Sequence, residues 1–166
     1  MDYAVRRART CDVRAIRELI DANAESGRLL DKATVALYED VQEFWVAIST
    51  HDEVAGCGAL HVMWEDLAEI RTLAVSDGHQ RRGVGGQIVL ALLDAAREVG
   101  VSRVFVLTFA VEFFRRHGFT EIAGQAATPE VYAELLQSYD EGVAEFLDLD
   151  RVKPNTLGNT RMLLRI

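Results

Sequence analysis

Glu69-Ile70-Arg71-Thr72-Leu73-Ala74-Val75, then Ser76-Asp77-Gly78-His79-Gln80-Arg81-Arg82-Gly83-Val84-Gly85-Gly86, then Gln87-Ile88-Val89-Leu90-Ala91-Leu92, is the stretch on which the reading turns. Ile70, Leu73 and Val75 suit a half-buried strand, and the residues after Gly86 repeat their apolar side chains at helical spacing. The polar, glycine-rich segment between them therefore opens a helix. At such a terminus the first backbone N–H groups lack intrahelical acceptors, and the helix dipole presents its positive end to an anion. Gly83, Gly85 and Gly86 would let a pyrophosphate approach the main chain closely. A glycine turn alone also serves plain strand-to-helix connections. Two other phosphate loops do not match: the segment lacks a Gly-Lys-Ser/Thr ending, and Gly83-Val84-Gly85-Gly86 lacks the Gly-x-Gly-x-x-Gly spacing.

Outward from this stretch, 166 residues fit one domain that folds without staples. A formal net charge of −8 gives no chain-wide basic field for nucleic acid or an anionic membrane. An anionic ligand at the loop would rely on Arg81, Arg82 and His79, whose local field outweighs distant acidic charge because screening acts over about 8 Å. Cys11 and Cys57 form no metal-like spacing and read as free thiols, with Cys57 in an apolar strand suited to the core. The chain carries no secretory pattern at residues 1–7 and no apolar run of membrane-spanning length, so the expected location is the cytoplasm.

The spacing predicts a short strand over 5–8, then a helix over 12–24 capped by Thr10, with Val13, Ile16, Leu19 and Ile20 facing the core. Residues 26–32 break the pattern before a second helix at 33–39. Arg28 and Lys32 in that region are candidates for a substrate carboxylate, or solvated surface charges. Strands follow at 44–49 and 54–64, where Gly56 and Gly58 mark a bulge or a close approach. After the central helix come a strand at 103–108, a short helix over 113–118, and a helix over 128–142 with Val131, Leu135 and Leu136. Residues 146–159 read as an ordered loop, and 162–166 as a last strand. No linker, repeat or low-complexity segment interrupts this order. It implies a mixed α/β domain built on one sheet.

Gln80-Arg81-Arg82-Gly83-Val84-Gly85, preceded by Leu73-Ala74-Val75, resembles the acetyl-coenzyme A signature Gln/Arg-x-x-Gly-x-Gly/Ala of the GNAT acetyltransferase superfamily. The resemblance implies a GNAT fold over residues 1–166: one mixed, mostly antiparallel sheet flanked by helices, with the strands at 69–75 and 103–108 splayed. It further implies acetyl-CoA as acetyl donor without a metal. Leu73, Ala74 and Val75 would contact the pantetheine arm, and Gln80, Arg81, Arg82, Gly83, Val84, Gly85 and Gly86 the pyrophosphate.

The segments Gly56-Cys57-Gly58-Ala59-Leu60-His61, Trp64-Glu65-Asp66-Leu67-Ala68-Glu69-Ile70-Arg71, Val104-Phe105-Val106-Leu107-Thr108 and Phe113-Phe114 to Gly118-Phe119 resemble the short, stand-alone N-acetylglutamate synthases of arginine biosynthesis. That resemblance implies acetylation of the α-amine of L-glutamate, or of L-glutamine, by direct attack. An α-ammonium must first lose a proton. Glu69 matches the strand glutamate used as general base in histone-type members, with His61 and Glu112 as other candidates. A dicarboxylic acceptor calls for fixed cations, for which Arg71 is the first choice, followed by Lys32 and Lys153, with Asn155 as a polar reader. Phe114 stands where many members carry a proton-donating tyrosine, leaving Tyr139 or direct thiolate departure. Ala110 stands where these relatives carry Gln or Glu. Partners would be small-molecule amino acids, with no nucleic acid or membrane, and a homodimer is one assembly the resemblance allows. Acetylation of another small amine or a peptide N-terminus, or a non-catalytic CoA-binding regulatory module, are the alternatives.

Overall fold

Alternating strand residues and helical apolar spacing give the elements their boundaries in the computed structural model, which describes residues 2–24, 32–149 and 158–166. The described strands are β1 (Ala4–Arg7), β2 (Phe44–Ile48), β3 (Val54–Trp64), β4 (Leu67–Val75), β5 (Arg103–Thr108), β6 (Thr120–Glu121) and β7 (Thr160–Arg165). The helices are α1 (Val13–Ala24), α2 (Thr34–Glu39), α3 (Val84–Val99), α4 (Val111–Arg116), α5 (Pro129–Leu135) and α6 (Glu141–Phe146). The strands follow the order β1-β2-β3-β4-β5-β7-β6 in one sheet. β4 and β5 are parallel, whereas β1/β2, β2/β3, β5/β7 and β6/β7 are antiparallel. This is the mixed, mostly antiparallel sheet expected. The parallel ladder runs from Leu67↔Arg103 to Glu69↔Phe105, short of the C-terminal ends of both strands.

Two units make up the chain, Met1–His61 with Ile70–Ala95, and Val62–Glu69 with Ala96–Ile166. In the first, Val13, Ile16, Leu19 and Ile20 of α1 and Leu37 of α2 pack with Phe44, Val46, Cys57, Ala59 and Ala74. The start of α1 differs from expectation. Thr10 does not cap it but lies in a 3-10 turn, Thr10–Asp12. Asp12 instead accepts from the Arg9 N–H at 2.7 Å and from both Arg6 Nη1 (2.7 Å) and Nη2 (3.1 Å). An ionised acceptor held by a forked cation outcompetes a hydroxyl for that terminus.

Both readings of the β3 glycines hold. The β2/β3 register passes from Ala47↔Gly56 to Ile48↔Val54, skipping Ala55. The Ala55 carbonyl turns to accept from Ser76 N–H at 2.9 Å. A Cβ on Gly56 would sit 2.9 Å from the Ala74 carbonyl oxygen, and one on Gly58 would sit 2.8 Å from Ile88 Cγ2. Glycine here lets α3 and β4 seat directly on β3.

In the second unit Met63, Leu67, Phe105, Leu135, Val143, Phe146 and Leu147 form the core. The single helix expected over 128–142 is two, α5 and α6. Thr128 Oγ1 caps the first by accepting from Val131 N–H, and Asp140 Oδ1 caps the second by accepting from Val143 N–H at 2.9 Å. Ser138 Oγ also accepts from the Asp140 N–H. These short polar side chains divert backbone groups from helical pairing, so the apolar pattern does not carry through. Leu136, assigned to the apolar face, is exposed.

Candidate functional site

In the first unit, β4 ends at Val75 and a 3-10 turn, Asp77–His79, leads to the loop that opens α3. Gln80 Nε2 donates to Asp77 Oδ1 at 2.9 Å and steadies the turn. Arg81 (φ 57°) and Gly83 (φ 81°) are both left-handed, so the chain bends sharply just before the helix. Nothing lies within 4 Å of a Cβ built on Gly83. Glycine is suited there by its backbone angle, not by crowding. The Gln87 N–H donates to the Gly83 carbonyl at 3.1 Å, so the amides of Val84, Gly85 and Gly86 precede the helical ladder. Arg81 and Arg82 are exposed beside them. Such a terminus is chemically fitted to a diphosphate.

His79, named with Arg81 and Arg82 from the sequence, is held by residues outside the loop. Its Nδ1 lies 2.9 Å from Tyr3 Oη, its ring meets Tyr3 edge-on, and its Nε2 is 4.0 Å from Glu53. It ties the turn to Tyr3, just before β1.

Upstream in β4, Thr72 is left-handed at φ 57°. A β-branched residue adopts this conformation only when its surroundings impose it, and nothing local in the sequence announces it. Its carbonyl faces Cys57 Sγ at 3.6 Å, while the Leu73 side chain reaches toward Gly58 and the Ala74 carbonyl toward Gly56. The alternation of β4 is thus interrupted immediately before Leu73-Ala74-Val75. Cys57 is fully buried, and burial pushes its thiol up to about 12, in keeping with a core residue and not a nucleophile.

Arg71 is buried in β4. His61 Nδ1 lies 2.9 Å and 3.1 Å from the two carboxylate oxygens of Glu43, a pairing over 18 positions that sequence reading missed. Lys32 Nζ is 3.7 Å from Asp40, and its carbonyl accepts from Arg17. Arg28, Lys153 and Asn155 lie outside the described residues.

In the second unit Glu69 is buried opposite Phe105, where the parallel ladder ends. Arg161 on β7 stacks over Phe105 and Phe146, its guanidinium carbon 5.0 Å and 5.6 Å from their ring centres. Burial pushes its guanidinium below the ordinary value, while the Asp148 and Glu69 carboxylates act in the opposite sense. No motif or spacing marks Arg161 in the sequence.

The other candidates in this unit are exposed or packed among aromatic rings. Glu112 is exposed on α4 and ion-pairs with Arg115, which also bonds Glu121 at 2.7 Å. Phe114 is buried, edge-on to Phe113 and Phe119, as expected of core packing. Tyr139 is 99% exposed between α5 and α6, so its hydroxyl is in solvent and not in a sequestered site. Ala110 is exposed at the start of α4, its N–H donating to Thr108 Oγ1 at 2.8 Å. Among the described residues no helix is long and apolar enough to cross a membrane, and no His/Cys/Asp/Glu cluster could hold a metal.

The family model described as Acetyltransferase (GNAT) family matches residues 11–119. An amino-acid acetyltransferase of Mycobacterium tuberculosis is 60% identical over 163 residues, covering 96% of this chain and 92% of that protein. The crystal structure of Rv2747 from Mycobacterium tuberculosis, in complex with CoA and NLQ, matches with TM-score 0.95 and 58% identity, covering 98% of this chain and 99% of that one. A structure of N-acetylglutamate synthase from Neisseria gonorrhoeae, complexed with coenzyme A and N-acetyl-glutamate, gives TM-score 0.78 at 24% identity. It covers 99% of this chain and 35% of that one, a likeness of fold.

Proposed function

This chain belongs to the acetyltransferase (GNAT) family, and on that premise we propose that it transfers the acetyl group of acetyl-CoA to the α-amine of L-glutamate, with L-glutamine as the competing acceptor. The product, N-acetylglutamate, would enter arginine biosynthesis. The observation that carries this reading is the likeness, through 96% of the chain, to a protein named amino-acid acetyltransferase. CoA in the structure of the 58% identical relative supports the donor.

In this proposal the amides of residues 83–86 grip the diphosphate, with Arg81 and Arg82 supplying positive charge and Gln80 holding the turn. Main-chain groups of Leu73, Ala74 and Val75 flank the pantetheine arm. Glu69 takes a proton from the acceptor's α-ammonium, directly or through water. The freed amine nitrogen attacks the thioester carbonyl carbon, a C–N bond forms, the nitrogen gives up its second proton to solvent, the C–S bond breaks, and CoA leaves as a thiolate that is reprotonated from solvent. Phe114 has no proton to give it. Arg71 pairs with an acceptor carboxylate. His61, oriented by Glu43, is the second candidate for the base.

The test is CoA release, followed with a thiol reagent, across L-glutamate, L-glutamine, other amino acids, small amines and peptide N-termini. Release should depend on glutamate or glutamine. Turnover of some other amine with neither of these would overturn the assignment, as would tight acetyl-CoA binding without product from any acceptor.

A further inference from the structure

A dicarboxylic amino acid carries more negative charge than one arginine satisfies, and a second arginine in the molecule is built as a receptor. Arg161 Nε donates to the Gly124 carbonyl at 3.1 Å, and Nη2 donates to Gln125 Oε1 at 3.1 Å and to the Phe146 carbonyl. Its guanidinium carbon lies over the Phe105 and Phe146 rings, which are edge-on to one another at 4.8 Å. Three of the five guanidinium N–H groups are therefore committed, and the orientation is fixed by packing. The two on Nη1 make no hydrogen bond among the described residues.

A half-buried cation stripped of part of its water, with donors left over, favours an anion. Because the side chain is already immobilised, binding costs little rotamer entropy. The anion class follows from the neighbourhood. The same unit holds two carboxylates within electrostatic reach of Arg161, Asp148 and the buried Glu69. A carboxylate acceptor for an ammonium beside a cationic donor for a carboxylate is the complement of a zwitterion. A phosphate would meet Glu69 as a like charge.

We propose that Arg161 binds a carboxylate of the amino-acid acceptor through Nη1, an assignment that rests on the amino-acid reading above. The test compares wild type with Arg161→Gln and Arg161→Lys. It measures KM for L-glutamate and L-glutamine, Kd for acetyl-CoA by calorimetry, and Tm. Arg161→Gln should raise the acceptor KM by roughly tenfold or more, the scale of a lost charge-assisted hydrogen bond. Affinity for acetyl-CoA should be unchanged. Arg161→Lys keeps the charge without the fork and should show a smaller rise, and it decides the matter if the Gln variant does not fold. An unchanged acceptor KM in a folded variant overturns the proposal. So does a joint loss of acceptor and acetyl-CoA affinity with a lower Tm, which marks a merely structural role. A wild type that acetylates neither amino acid takes down both this assignment and the function it rests on. An active wild type with unaffected variants takes down this assignment alone.

Discussion

Gly56→Ala probes whether the seating of α3 and β4 on β3 sets the geometry of the acetyl-CoA arm. The added methyl would meet the Ala74 carbonyl oxygen at 2.9 Å, Ile88 Cδ1 at 3.1 Å and Val84 Cγ1 at 3.1 Å. The two side-chain contacts can relax by rotation. The carbonyl cannot, because it belongs to the main chain of β4 two residues beyond the left-handed Thr72. Overpacking of this kind costs about 1–3 kcal/mol, and removing glycine's freedom from the unfolded chain returns about 0.4–1 kcal/mol. The net loss is about 0–2.6 kcal/mol. At about 2–4 °C per kcal/mol for a chain of this size, Tm should fall by up to roughly 10 °C. Gly58→Ala is the comparison: its methyl meets Ile88 Cγ2 at 2.8 Å, Leu92 Cδ1 at 3.0 Å and Leu73 Cδ1 at 3.2 Å, all side-chain atoms. Thermal melts and acetyl-CoA calorimetry on both variants should find the larger loss of cofactor affinity in Gly56→Ala, since only there must the Ala74 carbonyl move. A Gly56→Ala protein that melts with or above wild type and binds acetyl-CoA equally well would refute the reasoning.

Glu69→Gln should lower kcat by about 10²–10⁴ while leaving acetyl-CoA affinity intact, and a wild-type kcat would remove Glu69 from the base role. Arg6 and the Arg9 N–H hold the Asp12 carboxyl below the usual carboxylate range. Its contribution is therefore complete above the unfolded-state value and is lost as pH falls through the lower folded value. Asp12→Asn should cost about 1–2 kcal/mol in urea unfolding at neutral pH, with the gap to wild type closing in acid; a gap independent of pH would count against the ion pair. Cys11 is exposed, whereas the buried Cys57 thiol is pushed up to about 12. Mass spectrometry should find an alkylating reagent on Cys11 alone until the protein is unfolded, and native labelling of Cys57 would contradict its burial.

Where structure follows from local chemistry, the sequence was readable to the residue. The bounds of β3 and β5 coincide with the runs of alternating or β-branched residues, and Val13, Ile16, Leu19 and Ile20 face inward as their spacing requires. The exceptions are places where a distant or competing partner decides the outcome. Asp12 displaced Thr10 because Arg6, on the preceding strand, stabilises its charge. The run at 128–142 has apolar spacing suited to one helix, yet Ser138 and Asp140 draw backbone amides away within it. Thr72 is left-handed in a strand of ordinary composition, so its conformation is imposed by packing around it.

The same distinction separates the two kinds of charge recognition proposed for this molecule. A diphosphate cradle made of main-chain amides needs a strand end, a turn, glycine and a helix start, all contiguous between Leu73 and Gly86, so it can be found in a window of text. An arginine receptor needs its partners delivered from elsewhere: Gly124, Gln125 and Phe146 stand 37, 36 and 15 positions from Arg161. Seen alone, Arg161 is one more cation on a late strand. Glu43 reaches His61 in the same way, across 18 positions. Backbone-built anion sites are therefore legible before folding, and side-chain-built ones only after it. The acyl donor can be named from the sequence for that reason, while the acceptor has to be argued from which charges the fold has buried and which donors it has left uncommitted.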